Sequence, residues 1–138
     1  MPVTSGTSSK IVLGADDAPE NLFLLQAVAK AGGYAFIAAK SGAECLALIH
    51  RVIPRLILLD IQMPDMDGFE TCCRLRANPL LRTVPIAFLA ALKSPADVMA
   101  GLAAGGNDFI VKPFDPLKPL ERIRHWTSRS VGSSAPSR

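Results

Sequence analysis

Apolar and polar positions along this chain fall into two alternating kinds of segment. Short, mainly apolar runs occur at Lys10 to Ala15 (KIVLGA), Tyr34 to Ala39 (YAFIAA), Leu56 to Leu59 (LILL, running out at Asp60), Ile86 to Ala90 (IAFLA) and Asp108 to Val111 (DFIV). Runs this short, with no helical period, read as strands, and those at Leu56 and Ile86 suit strands covered on both faces of a sheet. Between them lie stretches with helical spacing and helix punctuation. Pro19 opens the first at its first turn, with Glu20 near the positive end, and Gly32-Gly33 stops it after Leu22, Leu25, Gln26 and Ala29. Ser41 and Glu44 form a capping box for the second, which runs on towards Pro54. The third spans about Phe69 to Ala77 and closes at Asn78-Pro79. Ser94-Pro95-Ala96-Asp97 starts the fourth, which ends at Gly105-Gly106; Asp115-Pro116 begins the fifth, through Leu120, Ile123 and Trp126.

Five strands alternating with five helices predict an α/β fold, a parallel sheet with right-handed crossovers. In such a sheet the C-terminal strand ends share one edge, and open α/β sheets place their ligands there. Asp16-Asp17, Asp60, Ala90 and Lys112 all stand at those ends, after strands one, three, four and five. If strands one and three are neighbours, three carboxylates and one ammonium meet in a shallow pocket. Carboxylates at close range repel one another. Mg²⁺ relieves this, since it favours a few carboxylates with waters and phosphate oxygens. Lys112 then remains as a point charge for an incoming anion. This set suits phosphoryl transfer, in which the protein mainly supplies position and charge. A carboxylate can itself be the nucleophile. Two plainer readings explain the same residues: Asp60 capping its loop, and Lys112 in a structural salt bridge.

Composition narrows the classes. The 138 residues make one domain, of a size that buries roughly 70% of its unfolded surface. The hydrophobic share of 49% and mean hydropathy of +0.29 run high for a small domain. No apolar run nears the roughly 18 residues of a membrane helix, so the surplus belongs in a doubly covered sheet or on a partner surface. Residues 1–9 carry no signal-peptide pattern and read as a disordered lead, so a cytoplasmic location is expected. The net charge of +3 falls to +1 between Lys10 and Trp126 once Arg129 and Arg138 of the tail are set aside. That balance lacks the basic stripe that DNA binding needs. Cys45, Cys72 and Cys73 have no disulfide or metal spacing and read as reduced core or helix residues. His50 and His125 have no ligand partners nearby.

Three motifs carry a resemblance: Asp16-Asp17-Ala18-Pro19; Leu59-Asp60-Ile61-Gln62-Met63-Pro64-Asp65-Met66-Asp67-Gly68; and Lys112-Pro113-Phe114. In this order and spacing the chain resembles the receiver domain of two-component response regulators, over residues 10–126. The resemblance implies a doubly wound, flavodoxin-like sheet of order 2-1-3-4-5. It implies that Asp60 accepts a phosphoryl group from a phosphohistidine on a histidine kinase or phosphotransfer protein. It also implies Mg²⁺ held by Asp17, Asp60 and the backbone carbonyl of Gln62, with Asp16 acting through water. Lys112 would pair with Asp60 and then with a phosphoryl oxygen, and the Lys112-Pro113 bond would be cis. Such a chain assists its own phosphorylation and dephosphorylation; it is not an enzyme acting on another substrate.

Two positions depart from the family pattern. Ala90 stands where receivers carry Thr or Ser, and Phe109 where many carry Tyr. A methyl cannot donate a hydrogen bond to a phosphoryl group, so the usual route from phosphate to surface change lacks its hydroxyl. Residues 127–138 read as a flexible tail, too short for an output domain, which leaves protein contact as the expected output. A homodimer or effector contact is expected through helix four, strand five and helix five, where Leu120, Ile123 and Trp126 lie beside Arg122 and Arg124; the other reading is that these apolar residues all face the sheet. Two rivals lack a required residue. A dehalogenase-like phosphatase needs an acid where Gln62 stands. A nucleotide-binding fold needs a glycine-rich loop where Asp16-Asp17-Ala18-Pro19 stands. A receiver-like adaptor that is never phosphorylated is the remaining alternative.

Overall fold

The computed structural model describes residues 10–91, 94–112 and 115–128. Five strands form one parallel sheet: β1 (Ile11–Ala15), β2 (Ala35–Ala39), β3 (Leu56–Asp60), β4 (Ile86–Ala90) and β5 (Asp108–Val111). Their order is β2-β1-β3-β4-β5, so β1 and β3 are neighbours. The helices are α1 (Pro19–Ala31), α2 (Gly42–Ile49), α3 (Gly68–Arg76), α4 (Pro95–Ala104) and α5 (Leu117–Thr127). A short 3₁₀ turn over Pro79–Leu81, not expected from the pattern, follows α3. Its cause is local: Pro79 sets φ at its start, and the Asn78 side chain accepts from Leu80 N.

β3 and β4 are buried along their whole length, as unbroken apolar runs require. Their side chains alternate between two cores. Leu56 and Leu58 join Val12, Leu89, Leu25 of α1 and Ile123 of α5. Ile57 and Leu59 join Leu13, Phe88, Cys45 of α2 and Leu75 of α3. The expected caps form: Ser41 Oγ accepts from Glu44 N, and Ser94 Oγ accepts from Asp97 N, each at 3.1 Å.

Two expectations about the C-terminal part need correction. The tail was expected to begin at Thr127, but Thr127 is buried inside α5. Its hydroxyl donates to Ile123 O at 2.6 Å and meets Tyr34 Oη at 3.0 Å, which fastens the last turn to the region before β2. The apolar residues of α5 expected on a partner surface face inward instead. Ile123 is fully buried, while Leu120 and Trp126 pack against the same core. A helix beside a sheet must bury one stripe, and these residues are that stripe. Among the described residues, the exposed large apolar ones on this side are Met99, Leu102, Val111 and Leu117.

Candidate functional site

Parallel strands bring their C-terminal ends to one edge, and the connections after β1, β3 and β5 begin there. Asp16 follows β1 directly. Its backbone N–H donates to Ala39 O at the end of β2 (3.1 Å), and its side chain is fully buried. One carboxylate oxygen accepts from Ala18 N at 2.9 Å; the other accepts from Asn21 Nδ2, in the first turn of α1, at 3.1 Å. Asp60 closes β3 and is buried as well. The loop after it turns back sharply: Asp65 takes a positive φ of 71°, and Gly68 N donates to Ile61 O at 2.8 Å. A Cβ at Gly68 would collide with the backbone of Asp60 and Ile61. Glycine there lets α3 start against the strand end that carries the carboxylate.

Lys112 follows β5, and its N–H donates to Ala90 O at 2.7 Å, continuing the β4–β5 ladder by one step. Its Nζ lies 3.1 Å from Asp16 Oδ2 and 3.1 Å from Asp60 Oδ1. Asp16, Asp17 and Asp60 each offer a carboxylate oxygen within 4.8 Å of the others, with Asp17 exposed at the mouth. These atoms border an open cleft of about 830 Å³ whose walls also include Gln62, Ala90 and Asp97.

The charges are unbalanced. Burial, then the adjacent Asp16 charge, push the Asp60 carboxyl up to about 6, although Lys112 and the Gln62 backbone N–H oppose them. Burial pulls the Lys112 ammonium down, but Asp16 and then Asp60 outweigh it, so its pKa ends raised. Two buried acids share one lysine, a more exposed third stands beside them, and their hard oxygen donors fit a divalent cation such as Mg²⁺.

The structure thus gathers Asp16, Asp17, Asp60, Gln62, Ala90 and Lys112 around one cleft. Phe109 stands apart from it. Its ring packs on Phe88 (centroids 5.4 Å apart) and over Gly101, where a Cβ would lie 2.6 Å from its Cζ. Pro113, expected to be cis, lies outside the described residues. Sequence reasoning missed two residues. Asn21 stands five positions after Asp16, where the first helical turn faces back over the strand end; that spacing was the available signal. Asp97 was read only as part of a helix start, yet it borders the cleft. Cys45 and Cys72 are buried, their thiols pushed up by burial to about 12 and about 11, as inert core residues are.

Known proteins share this arrangement. The response regulator receiver domain profile matches residues 12–124. The response regulator PleD of Caulobacter vibrioides is 38% identical over 116 residues, covering 84% of this chain. The chain spans about a quarter of PleD, 26% of its length. An uncharacterised 14.6 kDa protein of Leptolyngbya boryana is 35% identical over 115 residues, covering 83% of this chain and 88% of that one. Among solved structures, the Vibrio cholerae chemotaxis protein CheY4 superposes with a TM-score of 0.83 at 28% identity, over 86% of this chain and 99% of that one. The receiver domain of sensor histidine kinase PA1611 of Pseudomonas aeruginosa superposes with a TM-score of 0.80 at 27% identity, over 88% of this chain and 100% of that one. That structure is described with a magnesium ion coordinated in its active site cleft. With the profile match running from β1 into α5 and the sheet order the same as that expected of the fold, this chain belongs to the receiver domains of two-component response regulators.

Proposed function

We propose that Asp60 accepts a phosphoryl group from a phosphohistidine of a histidine kinase or phosphotransfer protein. The observation that carries this reading is the Lys112 ammonium, 3.1 Å from both Asp16 and Asp60, beside a cleft open to solvent. Asp60 Oδ attacks phosphorus as the donor N–P bond breaks; an O–P bond forms, and the released imidazole takes a proton from solvent. Lys112 holds Asp60 in place and stays beside the phosphoryl oxygens as charge transfers. Asp17, Asp60 and the Gln62 carbonyl would hold Mg²⁺, whose charge when bound offsets the carboxylates and the phosphoryl oxygens. Both oxygens of Asp16 already accept from Ala18, Asn21 or Lys112, which suits contact with the metal through water.

Ala90 supplies no hydroxyl to the phosphoryl group, and Phe109 has none to exchange partners. Phosphate on Asp60 therefore acts on the surface more weakly than in a receiver with Thr or Ser at this position. Output runs through protein contact at α4, β5 and the start of α5, where Met99 is 68% and Leu117 70% exposed. The test is intact mass after incubation with Mg²⁺ and a small phosphodonor. Wild type gains one phosphoryl group; Asp60→Asn does not, and chelator prevents the gain. No gain in wild type would favour the phosphate-independent adaptor, the reading that Ala90 supports.

A further inference from the structure

Asp16 is fully buried, and its Oδ2 has two donors: the Asn21 amide at 3.1 Å and the Lys112 ammonium at 3.1 Å. The same ammonium lies 3.1 Å from Asp60 Oδ1. Its position between the two carboxylates is therefore a balance, and the groups that satisfy Asp16 set it. Ala18 N satisfies Oδ1. On Oδ2 the only donor besides lysine among the described residues is Asn21, held by α1. We propose that Asn21 is a positioning residue for phosphoryl uptake: by donating to Asp16 it leaves Lys112 free to divide between Asp16 and Asp60.

The physical reason is the cost of leaving a buried carboxylate oxygen short of donors. Without the Asn21 amide, Oδ2 has the lysine alone. An ammonium on a flexible four-carbon stem follows the stronger acceptor, so Lys112 moves towards Asp16 and away from Asp60. Asp60 keeps the Gln62 N–H but loses its cation, and an incoming phosphoryl group finds the positive charge displaced. The asparagine is neutral, so it supplies a donor without adding a second cation to compete for the anion. A plain structural role in the first turn of α1 makes a different prediction: the melting temperature falls, while the affinity of the folded protein for an anion stays near wild type. Asn21→Asp keeps the shape and cannot donate, but it sets a second carboxylate against buried Asp16, so its stability and its binding fall together. Asn21→Ala against Asn21→Gln is the discriminating pair.

This inference rests on the proposed phosphoacceptor role, and beryllofluoride, an anionic phosphoryl mimic, separates the two. Its affinity for the full chain is measured by NMR titration at saturating Mg²⁺, for wild type, Asn21→Ala, Asn21→Asp and Asn21→Gln. Mg²⁺ affinity is measured separately by calorimetry, and folding by thermal melting. Asn21→Ala is expected to weaken beryllofluoride about tenfold, the loss of one hydrogen bond to a charged group. Asn21→Asp weakens it further and lowers the melting temperature as well, since its own charge repels Asp16 and the anion, whereas Asn21→Gln, which keeps the amide, recovers most of the affinity. All variants within twofold of wild type would overturn the inference while leaving the phosphoacceptor reading standing. So would a loss matched by an equal loss of Mg²⁺ affinity, which would place the effect on the metal and not on Lys112. A wild type that takes up no beryllofluoride overturns both readings.

Discussion

Two half-buried cations sit at opposite ends of the sheet, and their partners differ. Lys112, at the C-terminal strand ends, faces two carboxylates and an open cleft. Arg76, the last residue of α3, lies where β4 and β5 begin. Its guanidinium donates to Leu81 O (2.6 Å), Val84 O (2.7 Å), Gly105 O (2.9 Å) and Asn107 Oδ1 (2.9 Å). Asn107 in turn accepts from Ile86 N at 2.8 Å. Gly105 has φ of 101°, and a Cβ there would press on Arg76 Cγ at 2.8 Å, so the glycine also makes room for the arginine. Arg76 is a clamp. Its planar fork meets neutral acceptors that cannot change charge, and it joins α3, the 3₁₀ turn and the starts of two strands. Lys112 has anionic partners that protons, a metal or a phosphoryl group can alter. A cation whose partners are fixed holds the fold; one whose partners can change state is available for chemistry.

The largest expected effect tests the changeable end. Lys112→Ala slows phosphoryl uptake from a small donor about 100-fold, the usual cost of removing one preorganised charge. Its loss of stability should shrink at low pH, because the abandoned carboxylates can protonate. An uptake rate within threefold of wild type, read by intact mass over time, would remove Lys112 from the chemistry.

Arg76→Ala should do the reverse. It removes a donor from three backbone carbonyls, of which Leu81 O keeps Val84 N, and costs about 2.5 kcal/mol of unfolding free energy, with little dependence on pH. Phosphoryl uptake by the folded fraction stays near wild type. Urea melts at pH 5 and pH 8, run beside the uptake assay, would show whether the clamp is as separate from the site as its geometry indicates.

A smaller effect concerns Asp60. Its pKa in the fold is raised to about 6, above the ordinary carboxylate value. In chelator the folded chain therefore binds this proton more readily than the unfolded one. The destabilisation is full above pH 6 and is relieved as pH falls towards about 4. Asp60→Asn removes the buried charge, so it should stabilise the metal-free protein by about 2 kcal/mol at pH 7 and flatten this part of the pH profile. A variant less stable than wild type at pH 7 would show that Lys112 more than offsets the burial.

The smallest effect lies on the cleft wall. Ala90→Thr supplies a donor beside Asp60, worth about 1.5 kcal/mol to a bound anionic phosphoryl mimic. Amide shifts on beryllofluoride binding should then grow in β4, α4 and β5. Equal perturbations in the two proteins would mean that this chain transmits its signal without the hydroxyl.

Much of the molecule was legible in the chain because its signals are local. Leu56 to Leu59 must be covered on both faces, so the strand and its depth follow from side-chain chemistry alone. Ser41, Ser94, Pro19 and Gly105 mark helix ends through φ and capping geometry, which need no distant partner. Asp16, Asp17, Asp60 and Lys112 could be placed on one edge because parallel strands share a direction. Other features depend on contacts the chain does not announce. Thr127 looked like tail until Tyr34, far away in sequence, gave its hydroxyl a neighbour. Trp126 looked like interface until Asp108 accepted its Nε1 at 2.8 Å, beside Arg122 Nε at 2.6 Å on the same oxygen.

The sequence by itself determined the period of each element, where most helices start and stop, and which charged residues stand at the strand ends. Side-chain polarity and backbone preference act over a few residues, and those are readable in order. Tertiary structure alone decided the sharing of charge. That Lys112 stands equally near Asp16 and Asp60, that Asn21 holds Asp16, and that Arg76 is satisfied by four neutral oxygens all depend on distances of about 3 Å between residues from different elements. Hydrogen bonds and ion pairs change steeply over fractions of an ångström, and only the packed sheet and its helices set those distances.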